Sequence, residues 1–224
     1  MINRFDEHIC EKRQLMFSGI VEAITELISS ERQNEVLRIK IRRPNHFDDL
    51  KLGDSISVNG ICLTVEAFNQ EYIQFALGHE TLKIIGDSIS SWLKRPMNLE
   101  RSIRFGDRIH GHLVTGHVDC FALVTQSQAY GENWLVTVQL SADLPSFVWV
   151  KGAIAINGVS LTVNTIENSP GRLQAVSVCL IPETIQRTNL SRFEVGDQIA
   201  IEFDYLAKAY LNNQKNRGDL NDAL

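Results

Sequence analysis

The octapeptide V-N-G-I-C-L-T-V at residues 58–65 recurs as I-N-G-V-S-L-T-V at residues 156–163, 98 positions further along the chain. Each copy places an Asn-Gly pair between two short runs rich in apolar and β-branched residues. Asn and Gly both tolerate a positive φ, which the tight two-residue turns of β-hairpins require. The repeated octapeptide therefore predicts two β-hairpins at equivalent positions in two related parts of the chain.

Two further matches extend this repeat in both directions. Glu80-Thr81-Leu82 corresponds to Glu183-Thr184-Ile185, and Gly19-Ile20-Val21 corresponds to Gly116-His117-Val118. The matches keep the same order and nearly the same offset, which indicates duplication of a unit of roughly 97 residues. Because this period is too long for a solenoid, we predict two similar domains.

Each unit has the sequence pattern of a small β-domain. Residues 36–41 and 134–140 are rich in strand-forming residues, and Gly-Asp pairs at 53–54, 106–107 and 196–197 indicate turns. About six short strands in one unit are typical of a small barrel. We predict an all-β protein that consists of two similar, small, antiparallel, six-stranded Greek-key β-barrels and a C-terminal α-helix.

The predicted domain boundaries follow from the repeat. Residues 1–15 form an N-terminal extension, because the apolar segment M-F-S-G-I-V begins at Met16, which is an alternative start of the protein. The N-terminal barrel spans residues 16–112 and the C-terminal barrel spans residues 113–204. The helix is predicted over residues 205–217.

Composition and charge exclude several classes of function. The 224 residues carry 22 Lys and Arg against 27 Asp and Glu, which gives a formal net charge of −5. This balance argues against nucleic acid as a partner, since phosphate binding needs clustered cations. No apolar run is long enough to predict a membrane span. Cys10, Cys62, Cys120 and Cys179 form no CxxC motif, so we expect free thiols, no metal site and a cytoplasmic location.

The repeated octapeptide also offers candidate polar groups. Cys62 and Thr64 share one face of the predicted strand, as do Ser160 and Thr162 in the second unit. These pairs could bind a polar heterocycle at the mouth of a barrel, or lie on an outward, solvated face. His117 occupies the position that Ile20 has in the first unit, so one unit has a titratable group where the other is aliphatic.

Other polar residues have simpler structural interpretations. Glu80-Thr81 and Glu183-Thr184 follow apolar strands and could cap short helices. Asp204 follows a strand and could be only a solvated turn residue. His112 and His117 are five residues apart, which is the wrong spacing for metal binding from one strand. The motifs GxGxxG, GxxxxGK[ST], GxSxG and HExxH are all missing from the sequence.

The sequence resembles the α-chain type of riboflavin synthase over most of its length, from Met16 to about Gln214. The matching motifs are MFSGIV at 16–21, NGICLTV at 59–65, HETL at 79–82, GHLVTGHVD at 111–119, KGAIAINGVSLTV at 151–163, LIPETIQRTNL at 180–190 and VGDQIAIEFDYLAKAY at 195–210. One departure is SSWLKRPMNLERS at 90–102, where the second repeat has a Gly-Asp turn. The 15 residues before Met16 are another.

The resemblance implies an activity and an assembly. Two molecules of 6,7-dimethyl-8-ribityllumazine would dismutate by transfer of a four-carbon unit, giving riboflavin and 5-amino-6-(D-ribitylamino)uracil, with no cofactor and no metal. A homotrimer is implied, in which the N-terminal barrel of one subunit faces the C-terminal barrel of a neighbour. The C-terminal helix would serve oligomerisation, and lumazine synthase is a further candidate partner.

The resemblance also implies which residues bind the substrate. In the N-terminal pocket they are Gly19, Ile20, Val21, Cys62, Leu63, Thr64, Ala76, Leu77, Gly78, His79, Glu80 and Thr81. In the C-terminal pocket they are Gly116, His117, Val118, Lys151, Ser160, Leu161, Thr162, Cys179, Leu180, Ile181, Pro182, Glu183 and Thr184. Phe17 would cover the site. The candidates for proton transfer and nucleophilic help are His117, Cys62, Ser160 and Asp204.

Three alternative functions remain open at this point. A lumazine- or flavin-carrying antenna protein could have the same duplicated fold, although it is expected to lose a polar pair in one or both repeats. An oligonucleotide-binding pair of barrels would need a basic groove with interleaved aromatic residues. A flavin reductase would need a nicotinamide-binding domain, for which no residues remain.

Overall fold

The computed structural model describes residues 16–140, 148–169 and 172–221. The predicted N-terminal extension, residues 1–15, lies outside them. Strands dominate the first unit, and their bounds are β1 Ala23–Thr25, β2 Leu27–Gln33, β3 Val36–Arg42, β4 Ser55–Val58, β5 Ile61–Phe68, β6 Tyr72–Leu77 and β7 Met97–Arg101. Two short helices, α1 His79–Ile85 and α2 Ile89–Lys94, lie between β6 and β7, separated by a 3₁₀ turn at Gly86–Ser88.

The second unit repeats this order of strands. Its elements are β8 Cys120–Tyr130, β9 Asn133–Gln139, β10 Ala153–Ile156, β11 Val159–Ser169, β12 Arg172–Leu180, α3 Pro182–Arg187, a 3₁₀ turn at Leu190–Arg192 and β13 Gln198–Phe203. The chain continues into helix α4, Tyr205–Asn221. All strand pairs are antiparallel, and six strands close a barrel in the order β10-β11-β12-β9-β8-β13.

The first unit differs in how its barrel closes. Its seven strands form one sheet in the order β1-β7-β4-β5-β6-β3-β2. The two edge strands, β1 and β2, are consecutive in the chain and separated only by Glu26. Together they take the place of the single strand β8 in the second unit. The predicted all-β fold with a C-terminal helix is confirmed. The second unit is a closed six-stranded barrel, whereas the first is a half-barrel sheet of seven strands that contains this split strand.

Both repeated Asn-Gly turns have the predicted geometry. Asn59 and Gly60 have φ of 50° and 83°, and Asn157 and Gly158 have φ of 52° and 79°. A positive φ at both central residues matches the right-handed twist of the flanking strands, so each turn joins a tight hairpin. The two turns also meet, because a Cβ added to Gly60 would lie 2.7 Å from the backbone nitrogen of Gly158.

Each barrel has its own apolar core, formed by the alternate residues of its strands. Ile39, Ile73 and Phe75 are fully buried in the first core, and Val138 and Val178 in the second. The departure at residues 90–102 has a clear structural outcome. Instead of a Gly-Asp turn, the chain forms helix α2 and then enters β7.

The segments Glu80-Thr81 and Glu183-Thr184 lie within helices and do not cap them. The N-caps are Gly78 and Ile181, neither of which has a side-chain capping bond. Glu80 and Glu183 stand in the first turn, where a carboxylate interacts favourably with the helix dipole. Within the described part of the chain, no helix is long and apolar enough to cross a membrane.

Candidate functional site

Two short segments of chain cross between the barrels, and we call residues 17–20 and 114–117 the crossing segments. Phe17 and Val114 pair as an isolated antiparallel bridge, with N···O distances of 2.7 and 3.0 Å. Beyond this bridge the segments diverge in opposite directions, as antiparallel chains must. Each then reaches the first strand after the Asn-Gly turn of the opposite barrel.

The contacts made by the crossing segments are equivalent in the two repeats. The backbone nitrogen of Ser160 donates to the Gly19 carbonyl at 2.8 Å, and that of Cys62 donates to the Gly116 carbonyl at 2.8 Å. Both glycines have a positive φ, 74° at Gly19 and 75° at Gly116. A Cβ at either would lie 2.6 Å from the Cβ of Ser160 or Cys62, so only glycine fits this approach.

This crossing corrects the predicted composition of the two pockets. The sequence repeat predicts that Gly19 and Ile20 lie beside Cys62, and Gly116 and His117 beside Ser160, since they belong to the same repeats. The structure exchanges the partners, because each segment passes the antiparallel bridge and packs on the other barrel. The sites are therefore mixed, and each combines a crossing segment of one repeat with strands of the other.

One mixed site contains a cavity of about 260 Å³ beside Ser160. The residues that line it are Ile20, His110, Gly111, His112, Lys151, Gly152, Ala153, Ser160, Leu161 and Thr162. Five of these are predicted site residues, namely Ile20, Lys151, Ser160, Leu161 and Thr162. Lys151 is exposed and holds a φ of 71°, where its counterpart in the first repeat is Gly53 at 84°.

His112 is not among the predicted site residues, but it contacts Ser160 directly. Its Nδ1 lies 2.6 Å from the Ser160 hydroxyl oxygen, and its Nε2 is buried with no hydrogen-bond partner among the described residues. Burial lowers the pKa of His112, and the charge of Asp204 partly opposes this. A neutral imidazole at neutral pH has one donor and one acceptor nitrogen, so it can exchange a proton with the hydroxyl.

Asp204 is half-buried and is not a solvated turn residue. Its Oδ1 accepts a hydrogen bond from the backbone nitrogen of Ala207 at 2.9 Å, which caps the start of α4. Because its charge acts on His112, Asp204 belongs to the Ser160 side of the molecule. His112 and Ser160 are thus in direct contact, and the charge of Asp204 acts on His112.

The other mixed site contains Cys62 and His117. Cys62 is half-buried beside Gly116, and His117 is exposed. Burial raises the pKa of the Cys62 thiol, a hydrogen bond with Ser55 lowers it, and the charge of Glu202 raises it. Cys62 and Ser160 lie on the outer walls of their barrels, between inward-facing neighbours such as Leu63 and Val159. Crossing segments cover both, so neither side chain lies on a freely solvated face.

The remaining predicted residues lie where two neighbouring strands in each unit no longer pair with each other. The ladder between β5 and β6 ends at the Val65–Phe75 pair, and that between β11 and β12 ends at the Val163–Val178 pair. Beyond these pairs lie the predicted residues Ala76, Leu77, Gly78, His79, Glu80 and Thr81, and in the second repeat Cys179, Leu180, Ile181, Pro182, Glu183 and Thr184. Backbone groups along such an opening are available to the edge of a heterocycle.

Several predicted residues have buried side chains. Leu77 and Leu180 are fully buried in the barrel cores, and Val21 and Val118 are buried beside the crossing segments. Phe17 is fully buried in a small cluster with Val114 and Ala155, against Cys62. Its ring is therefore fully buried within this cluster.

Two buried carboxylates, missed in the sequence, hold the crossing segments in place. Glu100 accepts hydrogen bonds from the Ser18 nitrogen and hydroxyl, both at 2.7 Å, and from the Gly19 nitrogen at 2.9 Å. Burial raises the pKa of Glu100 to about 7, although the bonds from Ser18 and Gly19 act to lower it. In the sequence only Glu202 gives a signal, as a charged residue within the apolar run at 199–203.

Glu202 repeats this arrangement in the second barrel. It accepts from the Thr115 nitrogen and hydroxyl, both at 2.7 Å, and from the Gly116 nitrogen at 2.9 Å. Burial raises its pKa, against the hydrogen bonds from Thr115. Among the residues that the structure describes, no group of three or more His, Cys, Asp or Glu side chains could hold a metal ion.

Comparison with known proteins identifies the class to which this duplicated barrel belongs. The family model of the lumazine binding domain matches twice, at residues 18–102 and 115–204. Riboflavin synthase of Escherichia coli (strain K12) is 34% identical over 202 residues, covering 88% of this chain and 91% of the relative. That of Chlamydia pneumoniae is 34% identical over 206 residues, covering 89% and 96%. The chain belongs to the riboflavin synthase family and carries two lumazine-binding domains, as the sequence motifs predicted.

Solved structures with this fold are similar over most of the chain. LumP in complex with 6,7-dimethyl-8-(1'-D-ribityl) lumazine gives a TM-score of 0.72 at 21% identity, covering 84% of this chain and 98% of LumP. LumP in complex with riboflavin gives 0.70 at 22% identity, covering 83% and 97%. At this level of identity the likeness concerns the fold.

Proposed function

We propose that the chain is a riboflavin synthase, a transferase that dismutates two molecules of 6,7-dimethyl-8-ribityllumazine into riboflavin and 5-amino-6-(D-ribitylamino)uracil. The observation that carries this proposal is a pair of sites with the same frame but different polar groups. Cys62 and His117 stand in one, and Ser160, His112 and Asp204 in the other. A reaction between two identical molecules in opposite roles needs such a pair, and the curated relatives support the activity.

We further propose that the reacting pair forms between two copies of the chain. The crossing segments diverge from the Phe17–Val114 bridge, so two ligands on one chain would lie on opposite sides of it and could not lie face to face. A neighbouring subunit must then supply the second site. We propose a homotrimer, in which the N-terminal barrel of one subunit faces the C-terminal barrel of the next and α4 serves assembly.

The chemistry assigns tasks to the two sites. The 7-methyl group of one lumazine is acidic, since its carbanion delocalises into the ring, and a base must remove a proton from it. The second lumazine is activated by addition of a nucleophile at C7. We propose His117, Cys62, Ser160 and Asp204 as the groups that serve these steps, with the His112 nitrogen as the proton acceptor for the Ser160 hydroxyl. Holding both rings in register lowers the barrier further.

The predicted binding residues divide between the two mixed sites under this proposal. Ile20, Lys151 and residues 160–162 line the cavity of one site. Gly116, His117 and residues 62–64 form its counterpart. We also propose that the enzyme needs no cofactor, works in the cytoplasm and has lumazine synthase as a partner that supplies the substrate.

The decisive experiment is incubation of the purified protein with 6,7-dimethyl-8-ribityllumazine alone. Riboflavin should form without any added cofactor, with about one molecule formed per two consumed. The antenna alternative predicts a protein that purifies with stoichiometric bound fluorophore and gives no turnover. That result would replace the enzyme by a binding protein.

The arrangement between subunits has its own test. Ser160→Ala and Cys62→Ala each impair a different site, so each homo-oligomer should be nearly inactive. Oligomers reassembled from a mixture of the two variants contain some interfaces with both sites intact and should recover part of the activity. Sedimentation should confirm that the mixture forms mixed oligomers. If such mixed oligomers remained inactive, the result would contradict a site shared between subunits.

A further inference from the structure

Glu100 and Glu202 are almost inaccessible, with 4% and 2% of their surface exposed. A buried carboxylate is costly unless its oxygens are well satisfied, and here three donors converge on each one. The three donors are the same in both repeats, namely two consecutive backbone nitrogens and one hydroxyl. Both repeats contain this costly arrangement, which indicates a shared task.

The residues bonded to each glutamate also contact the opposite barrel, which indicates what this task is. Glu202 lies on β13 of the second barrel and accepts a hydrogen bond from the Gly116 nitrogen. The carbonyl of Gly116 accepts a hydrogen bond from the Cys62 nitrogen in the first barrel. Glu202 is therefore linked to Cys62 through a single residue that belongs to the crossing segment. Its charge also acts on the Cys62 thiol, whose pKa it raises.

Glu100 has the reciprocal connection. It lies on β7 of the first barrel and accepts from the Gly19 nitrogen, and the Gly19 carbonyl accepts from the Ser160 nitrogen of the second barrel. We infer that Glu100 and Glu202 are positioning residues that act across the repeats: Glu202 holds a crossing segment against the Cys62 site, and Glu100 holds one against the Ser160 site. This inference rests on the proposed function of those two sites.

Replacement by glutamine separates this role from simple burial. Gln has almost the same shape, and its single carbonyl oxygen can still accept from Thr115 in place of Oε1. Its amide group, however, is a donor and would face the donating nitrogen of Gly116 or Gly19. Glu202→Gln and Glu100→Gln should therefore loosen the glycine that contacts the other barrel.

The test is amide hydrogen exchange at single-residue resolution on the full-length protein. Glu202→Gln should speed exchange of the Cys62 amide about tenfold and leave the Ser160 amide unchanged. Glu100→Gln should do the reverse, although Cys62 belongs to the same repeat as Glu100. The matched control is Glu66→Gln, which removes an exposed carboxylate bound by Arg38 and Gln74 and should change neither amide. The Val138 amide in the closed barrel reports global unfolding.

Two results would overturn the inference. One is acceleration within the same repeat, in which Glu100→Gln exposes Cys62. The other is equal acceleration at Cys62, Ser160 and Val138, which would mean a general loss of stability. If a glutamine variant does not fold, Ser18→Ala removes the hydroxyl donor to Glu100, and Thr115→Val removes the hydroxyl that donates to Glu202 and accepts from the His117 nitrogen. Both should give smaller changes with the same crossed pattern.

Measurement of turnover separates the positioning role of Glu100 and Glu202 from the proposed riboflavin synthase activity. With isotopically labelled 6,7-dimethyl-8-ribityllumazine, the NMR signal of ligand bound at the Cys62 site should shift in Glu202→Gln. The NMR signal of ligand bound at the Ser160 site should shift in Glu100→Gln. Both variants should have a lower kcat. A crossed exchange pattern with normal turnover would refute positioning for catalysis. Failure of the unmodified protein to make riboflavin would refute the proposed function and leave the exchange result intact.

Discussion

Gly116→Ala should damage the Cys62 site far more than its size suggests. The added Cβ would lie 2.6 Å from the Cys62 Cβ and 2.8 Å from the Cys62 nitrogen. Carbon atoms in contact prefer about 3.5–4.0 Å, so the crossing segment must retreat by roughly 1 Å. A left-handed alanine costs about 1–2 kcal/mol, and overpacking against backbone adds about 1–3 kcal/mol. A misplacement of this size in a site lowers turnover about 10²-fold.

Gly53→Ala is the matched control for this substitution. Gly53 also has a positive φ, 84°, but a Cβ there meets nothing within 4 Å. The control therefore carries the backbone strain without the steric conflict. Thermal unfolding should place Gly116→Ala about 2–12 °C below Gly53→Ala, and riboflavin formation should fall only in Gly116→Ala. Equal melting temperatures and equal turnover in the two variants would refute the close approach that we describe.

Three further predictions address individual groups. Lys151→Gly should gain about 1 kcal/mol of stability in urea unfolding, by relief of the left-handed conformation, yet lose activity because a cation leaves the cavity beside Ser160. Glu100 has a native pKa of about 7, above its ordinary 4.5, so between these values the native state binds a proton that the unfolded chain has released. Stability should then fall by up to about 3 kcal/mol as pH rises from 4.5 to 7, and Glu100→Gln should lack this slope. The pKa of Cys120 is raised to about 12, so mass spectrometry should find negligible alkylation of Cys120 at pH 8 until the protein is unfolded.

Much of the fold was predictable because its signals are local. The Asn-Gly pairs at 59–60 and 157–158 determine their hairpins through backbone preference alone, and the repeat of the octapeptide reveals the duplication. The candidate polar residues Cys62 and Ser160 also follow from this alignment. By contrast, the split between β1 and β2 depends on a single residue, Glu26, and the sequence has no distinct signal there.

The crossing of residues 17–20 and 114–117 could not be predicted for a physical reason. In a duplicated chain the local sequence is equally suited to packing on its own barrel or on the other one, and only the interface between the barrels decides. The contact between His112 and Ser160 has no signal in the sequence, because it depends on the same packing of one barrel on the other. Glu202 could have been found, since it interrupts the apolar run at 199–203, whereas Glu100 lies among polar residues such as Asn98 and Arg101.

The two repeats share a backbone frame but not its chemistry, and this difference bears directly on the proposed reaction. Equivalent positions hold Ile20 and His117, Cys62 and Ser160, and Gly53 and Lys151. At the last pair the second repeat keeps a lysine in a left-handed conformation that its glycine counterpart adopts without strain. A left-handed lysine costs about 1–2 kcal/mol more than a glycine in the same conformation, and we attribute this cost to a functional demand of the Ser160 site. Two sites that bind the same lumazine in the same frame, one beside Lys151 and one beside His117, would treat it differently, which is what a dismutation requires of its donor and its acceptor.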